Sequence, residues 1–399
     1  MLTPAPRSEL AVPFDQARLD RLMDDENLDI IVATSKHNVQ YLLGGHRADF
    51  FDYMDASGVT RYLPVLIYPK GKPEKAAYVG HRLEKWQRDA NPMWTPDTQT
   101  NSNGSIDAMQ KAVEAMQRAG LKPRRIGAEL GFLPYDAAGV LRAAFPDAKL
   151  VDATLVLDRQ RAKKSPDELK KLKFASDAVI ASMKAVFAGH GPGATKRELA
   201  EALRREETNR GLTFEYCLIT AGASHNRAPT EQRWENGDVL SIDSGGNYHG
   251  YIGDLCRMAI QGEPDGELQD LLGEIETIQR AAFKAIRAGA TGRDIYAAAE
   301  PLVAKSRHHN HLDFLAHGMG LVSHEAPRLT ERTVAVPYMP EHGDKPLEVG
   351  MVVSVETTLL HPTRGFIKLE DTLAITDTGH EIYGEGARGW NRGGTAVRH

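Results

Sequence analysis

The chain has 399 residues, with 49 Lys and Arg against 54 Asp and Glu for a net charge of -5, so no basic surplus points to nucleic acid or to an anionic membrane as a partner. Hydrophobic residues make up 41% and charged residues 26%, the balance of a soluble globular protein, and the length predicts two domains rather than one core. Cys217 and Cys256 are the only cysteines, too few for a disulfide framework. No apolar leader or membrane-length run is seen, so a cytoplasmic enzyme or binding protein is expected.

Taken in order, residues 17 to 28 read as a helix and Ile30 to Val32 as a buried strand. A short helix from Val39 to Leu43 is ended by Gly44 and Gly45. Strands follow at Leu63 to Tyr68 and Ala76 to Val79, then a helix over Ile106 to Ala119, a strand at Arg125 to Leu130 and a helix over Tyr135 to Phe145. This alternation describes an α/β segment of about 150 residues. Its connection from Arg47 to Arg61 carries Asp49, Phe50, Phe51, Asp52, Tyr53 and Asp55. It reads as a surface loop pinned by its aromatics.

The composition turns basic from Leu157 to Lys164, and the boundary is placed at 158/159. Ser165, Pro166 and Glu168 form an N-cap, a first-turn proline and a capping box, opening a long helix to about Ala188. Thr195 and Glu198 repeat the signature for a helix to about Arg210, and further helices fit Leu268 to Ile286 and Gly292 to Ser306. Between and after them lie two strand pairs, one within 239 to 258 and the other at Met351 to Thr358 and Phe366 to Ile375. The second half is therefore α+β, with antiparallel strands and separate helices. The stretch EGARGWNRGGTAVRH is expected to be poorly ordered beyond Trp390.

Chemistry concentrates in the strand pairs. In VLSIDSGGNYHGYIGD, Asp243 and Asp254 end apolar runs on either side of a Gly-rich connection, and antiparallel pairing would let them face each other. Taken alone, they read as two turn or capping aspartates. Glu356 in MVVSVETT and Glu370 in FIKLEDTLAI are also acids in apolar settings, where a carboxylate needs a cation or several donors. HGMGLVSHEAPRL adds His317 and His324. Four carboxylates and one imidazole make a site for two divalent ions, whose four charges they cancel. Their oxygen-rich chemistry favours Mn, Co or Zn. Two such ions bridged by hydroxide would polarise a carbonyl and supply the nucleophile. His308, His309 and His311 read instead as a solvated helix end.

This combination resembles the pita-bread metalloenzymes, which include Xaa-Pro dipeptidase, aminopeptidase P, methionine aminopeptidase and creatinase. The resemblance covers essentially the whole chain. It implies a creatinase/prolidase-like amino-terminal domain at 1–158 and a pita-bread catalytic domain at 159–399. It also implies Asp243, Asp254, His317, Glu356 and Glu370 as metal ligands. By the same resemblance His324 and His225 contact substrate or the tetrahedral intermediate, and Glu356 doubles as a proton shuttle. The implied activity is hydrolysis of Xaa-Pro bonds in small peptides by a homodimer; the alternative is a small non-peptide substrate, as for creatinase, ectoine hydrolase or dimethylsulfoniopropionate lyases. Two departures stand out. Cys256 lies where the family often has Thr, and Lys368 stands two before Glu370 where many proline-specific peptidases carry Arg. A lysine cannot make the planar bidentate contact of a guanidinium.

Overall fold

The structure, a computed structural model, describes residues 11–395 apart from Met54, Asp55, Ser57, Val59 and 331–340. The chain divides into two compact units, Met1–Arg161 and Ala162–His399. Among the described residues no helix is long and apolar enough to cross a membrane.

The first unit runs α1 (Gln16–Asp25), β1 (Ile30–Ala33), α2 (Lys36–Leu42), β2 (Val65–Pro69), β3 (Ala77–His81), α3 (Lys85–Ala90), β4 (Asp97–Ser102), α4 (Ser105–Arg118), β5 (Arg125–Ala128), α5 (Tyr135–Ala144), β6 (Lys149–Asp152) and α6 (Thr154–Ala162). Its strands form one mixed sheet in the order β4-β3-β2-β1-β5-β6. Period-two alternation sends Ile31, Leu66, Tyr68 and Tyr78 to one face and Ile30, Val32, Val65 and Ile67 to the other. Both faces are buried, which is why β1 and β2 are apolar at every position. The basic stretch read as a boundary is helical up to Ala162. In the acidic, aromatic connection Phe50 stacks on Tyr62 at 5.8 Å and Arg47 pairs with Asp52, while Asp55 lies outside the described residues.

The second unit continues with α7 (Pro166–Gly189), β7 (Ala194–Thr195), α8 (Lys196–Asn209), β8 (Thr213–Ala221), β9 (Arg233–Trp234), β10 (Val239–Tyr248), β11 (Tyr251–Ile260), α9 (Gly266–Ala285), α10 (Gly292–Lys305), β12 (Leu312–Gly318), β13 (Val352–His361), β14 (Gly365–Thr376), β15 (Gly379–Tyr383) and β16 (Asn391–Arg392). Helix α7 starts where the capping box predicts: Glu168 Oε2 accepts the Ser165 amide at 2.7 Å, and the Ser165 hydroxyl accepts the Glu168 amide. Losing such a cap costs about 1 kcal/mol.

The large sheet has the strand order β12-β13-β14-β11-β10-β8, with β15 beside β14 and β16 beside β11. Helices cover one of its faces. Val179, Met183 and Leu199 from α7 and α8 pack on Ile242 and Leu255, while Leu271, Ile275 and Ile278 from α9 pack on Val353, Val355 and Leu369. Each fully buried Leu, Ile or Val contributes roughly 1.5–3 kcal/mol. Alternation then turns the next residue of each strand, among them Asp243, Glu356 and Glu370, to the opposite face. The expectation of disorder beyond Trp390 is corrected for Asn391 and Arg392, which pair as β16 in parallel with Ala259 and Ile260, while 396–399 lie outside the described residues.

Candidate metal centre

Register builds the site in two rows. Asp243 pairs with Cys256, Cys256 with Glu370, and Glu370 with Glu356, so one row crosses β10, β11, β14 and β13 on a single face. Two residues along, a second row holds Tyr216, Gly245, Asp254, Ser354 and His317. The expectation that Asp243 and Asp254 face each other is therefore corrected to a diagonal: Asp254 lies opposite Gly245, and Asp243 opposite Cys256. Tyr216 explains the glycine, since a Cβ at Gly245 would collide with its ring. His317 closes the second row from the end of β12.

Asp254, His317 and Glu370 each offer a ligand atom within 4.8 Å of the others, and they form the only such three-residue group found among the described residues. His317 Nδ1 lies 3.1 Å from the Gly318 carbonyl oxygen, to which it donates, and this turns Nε2 into the cluster. There Nε2 is 3.5 Å from Glu370 Oε1 and 3.8 Å from Glu356 Oε1. It is buried and makes no hydrogen bond. An orphaned imidazole nitrogen among buried carboxylates fits a divalent cation.

The charges respond to one another. Burial pushes the Asp254 carboxyl well above its ordinary range, and the Glu370 and Asp243 carboxylates push it further. Burial also raises Asp243 and Glu356, with Lys368 opposing it in both. At Glu370 burial pushes upward, but Lys368 and His317 together hold the carboxyl far below its usual range. Desolvation works against the His317 cation, yet the Glu370, Glu356 and Asp254 carboxylates lift it to about 9. His324 stacks on His317 with ring centroids 3.8 Å apart and planes at 14°. Desolvation and that neighbouring ring push His324 down to about 3.

These residues open into a pocket of about 300 Å³, whose walls include Tyr216, Arg227, Ser323, His324 and Lys368. The predicted residues Asp243, Asp254, Glu356, Glu370 and His324 all line it. His225 does not: it sits exposed, its Nε2 3.1 Å from the His361 carbonyl oxygen. His308, His309 and His311 belong to no metal-capable group; His309 instead bonds the Ser306 carbonyl from its ring. Cys256 is buried, with Sγ 3.3 Å from Ser241 Oγ.

Three features escaped the sequence reading. Arg227 pairs with Asp243 and lays its guanidinium over Phe366 at 5.0 Å, although it lies two residues past the histidine singled out in that loop. Lys164 and Glu325, both buried, pair at 2.9 Å and tether the loop that presents His324. Behind the sheet, Gln279 of α9 donates to the carbonyls of Val355 and Leu369, the residues preceding Glu356 and Glu370. Only the capping and helix-spacing signals of those segments are visible in sequence. Their cross-strand partners are not.

Comparison with known proteins agrees with this geometry. The Creatinase/Prolidase N-terminal domain matches residues 16–163, and Metallopeptidase family M24 matches residues 170–377. The chain is 25% identical over 374 residues to a Xaa-Pro dipeptidase of Pyrococcus horikoshii, covering 91% of this chain and 94% of that protein. It is 27% identical over 367 residues to a probable dipeptidase PepE of Mycobacterium bovis, covering 89% of each. A solved Xaa-Pro dipeptidase from Bacillus anthracis superposes with a TM-score of 0.79 at 22% identity, covering 94% of this chain and 98% of that one. An X-Pro aminopeptidase from Thermotoga maritima does so with a TM-score of 0.73 at 20% identity, covering 95% and 99%. The structural likenesses establish the α+β pita-bread fold, and the sequence match, which spans more than half of the chain, establishes the enzyme class: the chain belongs to Metallopeptidase family M24, behind a creatinase/prolidase amino-terminal domain.

Proposed function

We propose that the chain is a metal-dependent peptidase that cleaves Xaa-Pro bonds in dipeptides or short peptides. The observation that carries the proposal is the gathering of Asp243, Asp254, His317, Glu356 and Glu370 on one sheet face, with His317 Nε2 turned into them and lacking a hydrogen-bond partner. Those five residues would hold Mn, Co or Zn, and their donors suffice for two ions. When bound, such ions polarise the scissile carbonyl and lower the pKa of water.

The chain's own residues do the rest. Glu356, on the pocket wall, moves a proton from water to the leaving amine. His324, held flat against His317 and tethered through its neighbour Glu325, donates to the developing oxyanion. Arg227 faces the same pocket and supplies positive charge toward a substrate carboxylate. His225 reaches substrate only if the loop carrying it moves from the His361 carbonyl. A cytoplasmic homodimer completes the proposal by resemblance.

A second reading keeps the fold and metals but gives the site a small non-peptide substrate. The small volume and the Arg227 guanidinium on its wall favour it, because they suit a compact carboxylate or zwitterion. Mass-spectrometric detection of products from the Mn-loaded protein separates the readings. The panel is Xaa-Pro dipeptides, Xaa-Pro tripeptides, creatine, ectoine and dimethylsulfoniopropionate. Proline or a Pro-led peptide supports the first reading, whereas turnover confined to the last three compounds removes it.

A further inference from the structure

We propose that Lys368 is a built-in cation that takes the seat of one of the two metal ions, so that the wild-type chain holds a single divalent ion at Asp254, His317 and Glu370. This rests on the metallopeptidase reading above and deepens it. The Lys368 Nζ lies 2.6 Å from Asp243 Oδ2, 2.5 Å from Glu356 Oε2 and 2.8 Å from Glu370 Oε2, and its side chain is only 5% exposed. One ammonium thus lies within ion-pair distance of three of the four carboxylates expected to bind metal, and donates a hydrogen bond to Asp243. Lys368 reaches them because it stands two residues before Glu370 on β14, on the same face, with Glu356 on the adjacent β13 and Asp243 on β10, one strand beyond β11.

Charge and geometry agree on the count. Asp243, Asp254, Glu356 and Glu370 carry four negative charges when ionised. Lys368 offsets one, and Arg227, bonded to the same Asp243 oxygen, offsets a second from a more exposed position. The remainder is the charge of one divalent cation. Asp254 is the carboxylate that neither cation touches, and with His317 and Glu370 it forms the three-residue group whose ligand atoms converge within 4.8 Å. Three protein ligands leave a coordination position open, the usual arrangement of a catalytic site. A further ion at Asp243 and Glu356 has to displace a buried ammonium that already satisfies both.

The test counts metal. Wild-type protein is stripped with chelator, reloaded with excess Mn²⁺, freed of unbound metal by gel filtration and analysed by elemental mass spectrometry and electron paramagnetic resonance. About one ion per chain, with the hyperfine pattern of isolated Mn²⁺, is the expected result. A pair of ions per chain, or an exchange-coupled spectrum, overturns the inference while leaving the metallopeptidase reading standing. No retained metal overturns both. Lys368→Met, checked for native circular dichroism, is expected to gain a second ion and the coupled spectrum. A folded Lys368→Met that retains the wild-type count also overturns the inference, and should that variant not fold, the wild-type count decides alone.

Discussion

Glu356 and Glu370 lie directly opposite each other on neighbouring antiparallel strands, and the ammonium of Lys368 forms an ion pair with each. Like charges in that position destabilise a sheet. The lysine converts the repulsion into a buried network. Lys368→Met in the metal-free protein leaves buried carboxylates without their cation, a change worth about 3–5 kcal/mol. Urea denaturation of stripped protein should show that loss, and added Mn²⁺ should recover much of it. Equal midpoints for the stripped wild type and variant would contradict the role given to Lys368.

The stripped protein should also lose stability as pH rises. His317 titrates at about 9 in the folded chain against 6.5 ordinarily, because of the carboxylates around it. The folded state therefore binds this proton more tightly than the unfolded state. Its contribution is fully present below about 6.5 and is lost as pH climbs through about 9. Thermal unfolding of chelated protein between those values should show a falling midpoint, and His317→Gln should flatten the slope.

Gly245 has no side chain because the Tyr216 ring occupies the space. Gly245→Ala should cost about 1–3 kcal/mol through overpacking. If the ring is the obstacle, adding Tyr216→Ala should reverse much of that cost, so the two changes should be strongly non-additive in a double-mutant cycle. Additive effects would place the strain elsewhere.

Asp371 follows Glu370 and points the other way, into the helix-covered layer. It is fully buried and accepts from Arg257 at 2.6 Å and from Arg388. Arg257 also donates to the Glu370 carbonyl at 2.7 Å, so this network fixes the strand that carries the ligand. Asp371→Ala strands two buried guanidinium groups and should destabilise by about 3–5 kcal/mol, measured by urea denaturation. An effect below about 1 kcal/mol would show the network to be dispensable.

The five expected ligands were legible because each interrupts an apolar strand with an acid or sits in a short His-Gly motif, and their order matched one family. Strand β8 was missed, and β12 was seen only as the segment bearing His317. TFEYCLITA mixes polar residues into its apolar run, with Thr213, Glu215 and Leu218 exposed. Helix α6 was read as a basic boundary because its apolar residues do not form a clean stripe. The three-way contact of Lys368 was out of reach: its spacing from Glu370 gives a shared face, but β13 comes beside β14, and β10 one strand beyond β11, only through the sheet order. Arg227 shows the same limit, since a loop residue's partner is set by where the chain returns.

The most direct test of the account is proline release from an Xaa-Pro dipeptide, followed by mass spectrometry for chelator-treated protein before and after reloading with Mn²⁺. The matching Xaa-Ala dipeptide serves as control. The account predicts no release from the stripped protein, release on reloading, and little hydrolysis of the alanine peptide. Release that persists through chelation, or a reloaded protein that leaves every Xaa-Pro peptide intact, would contradict it.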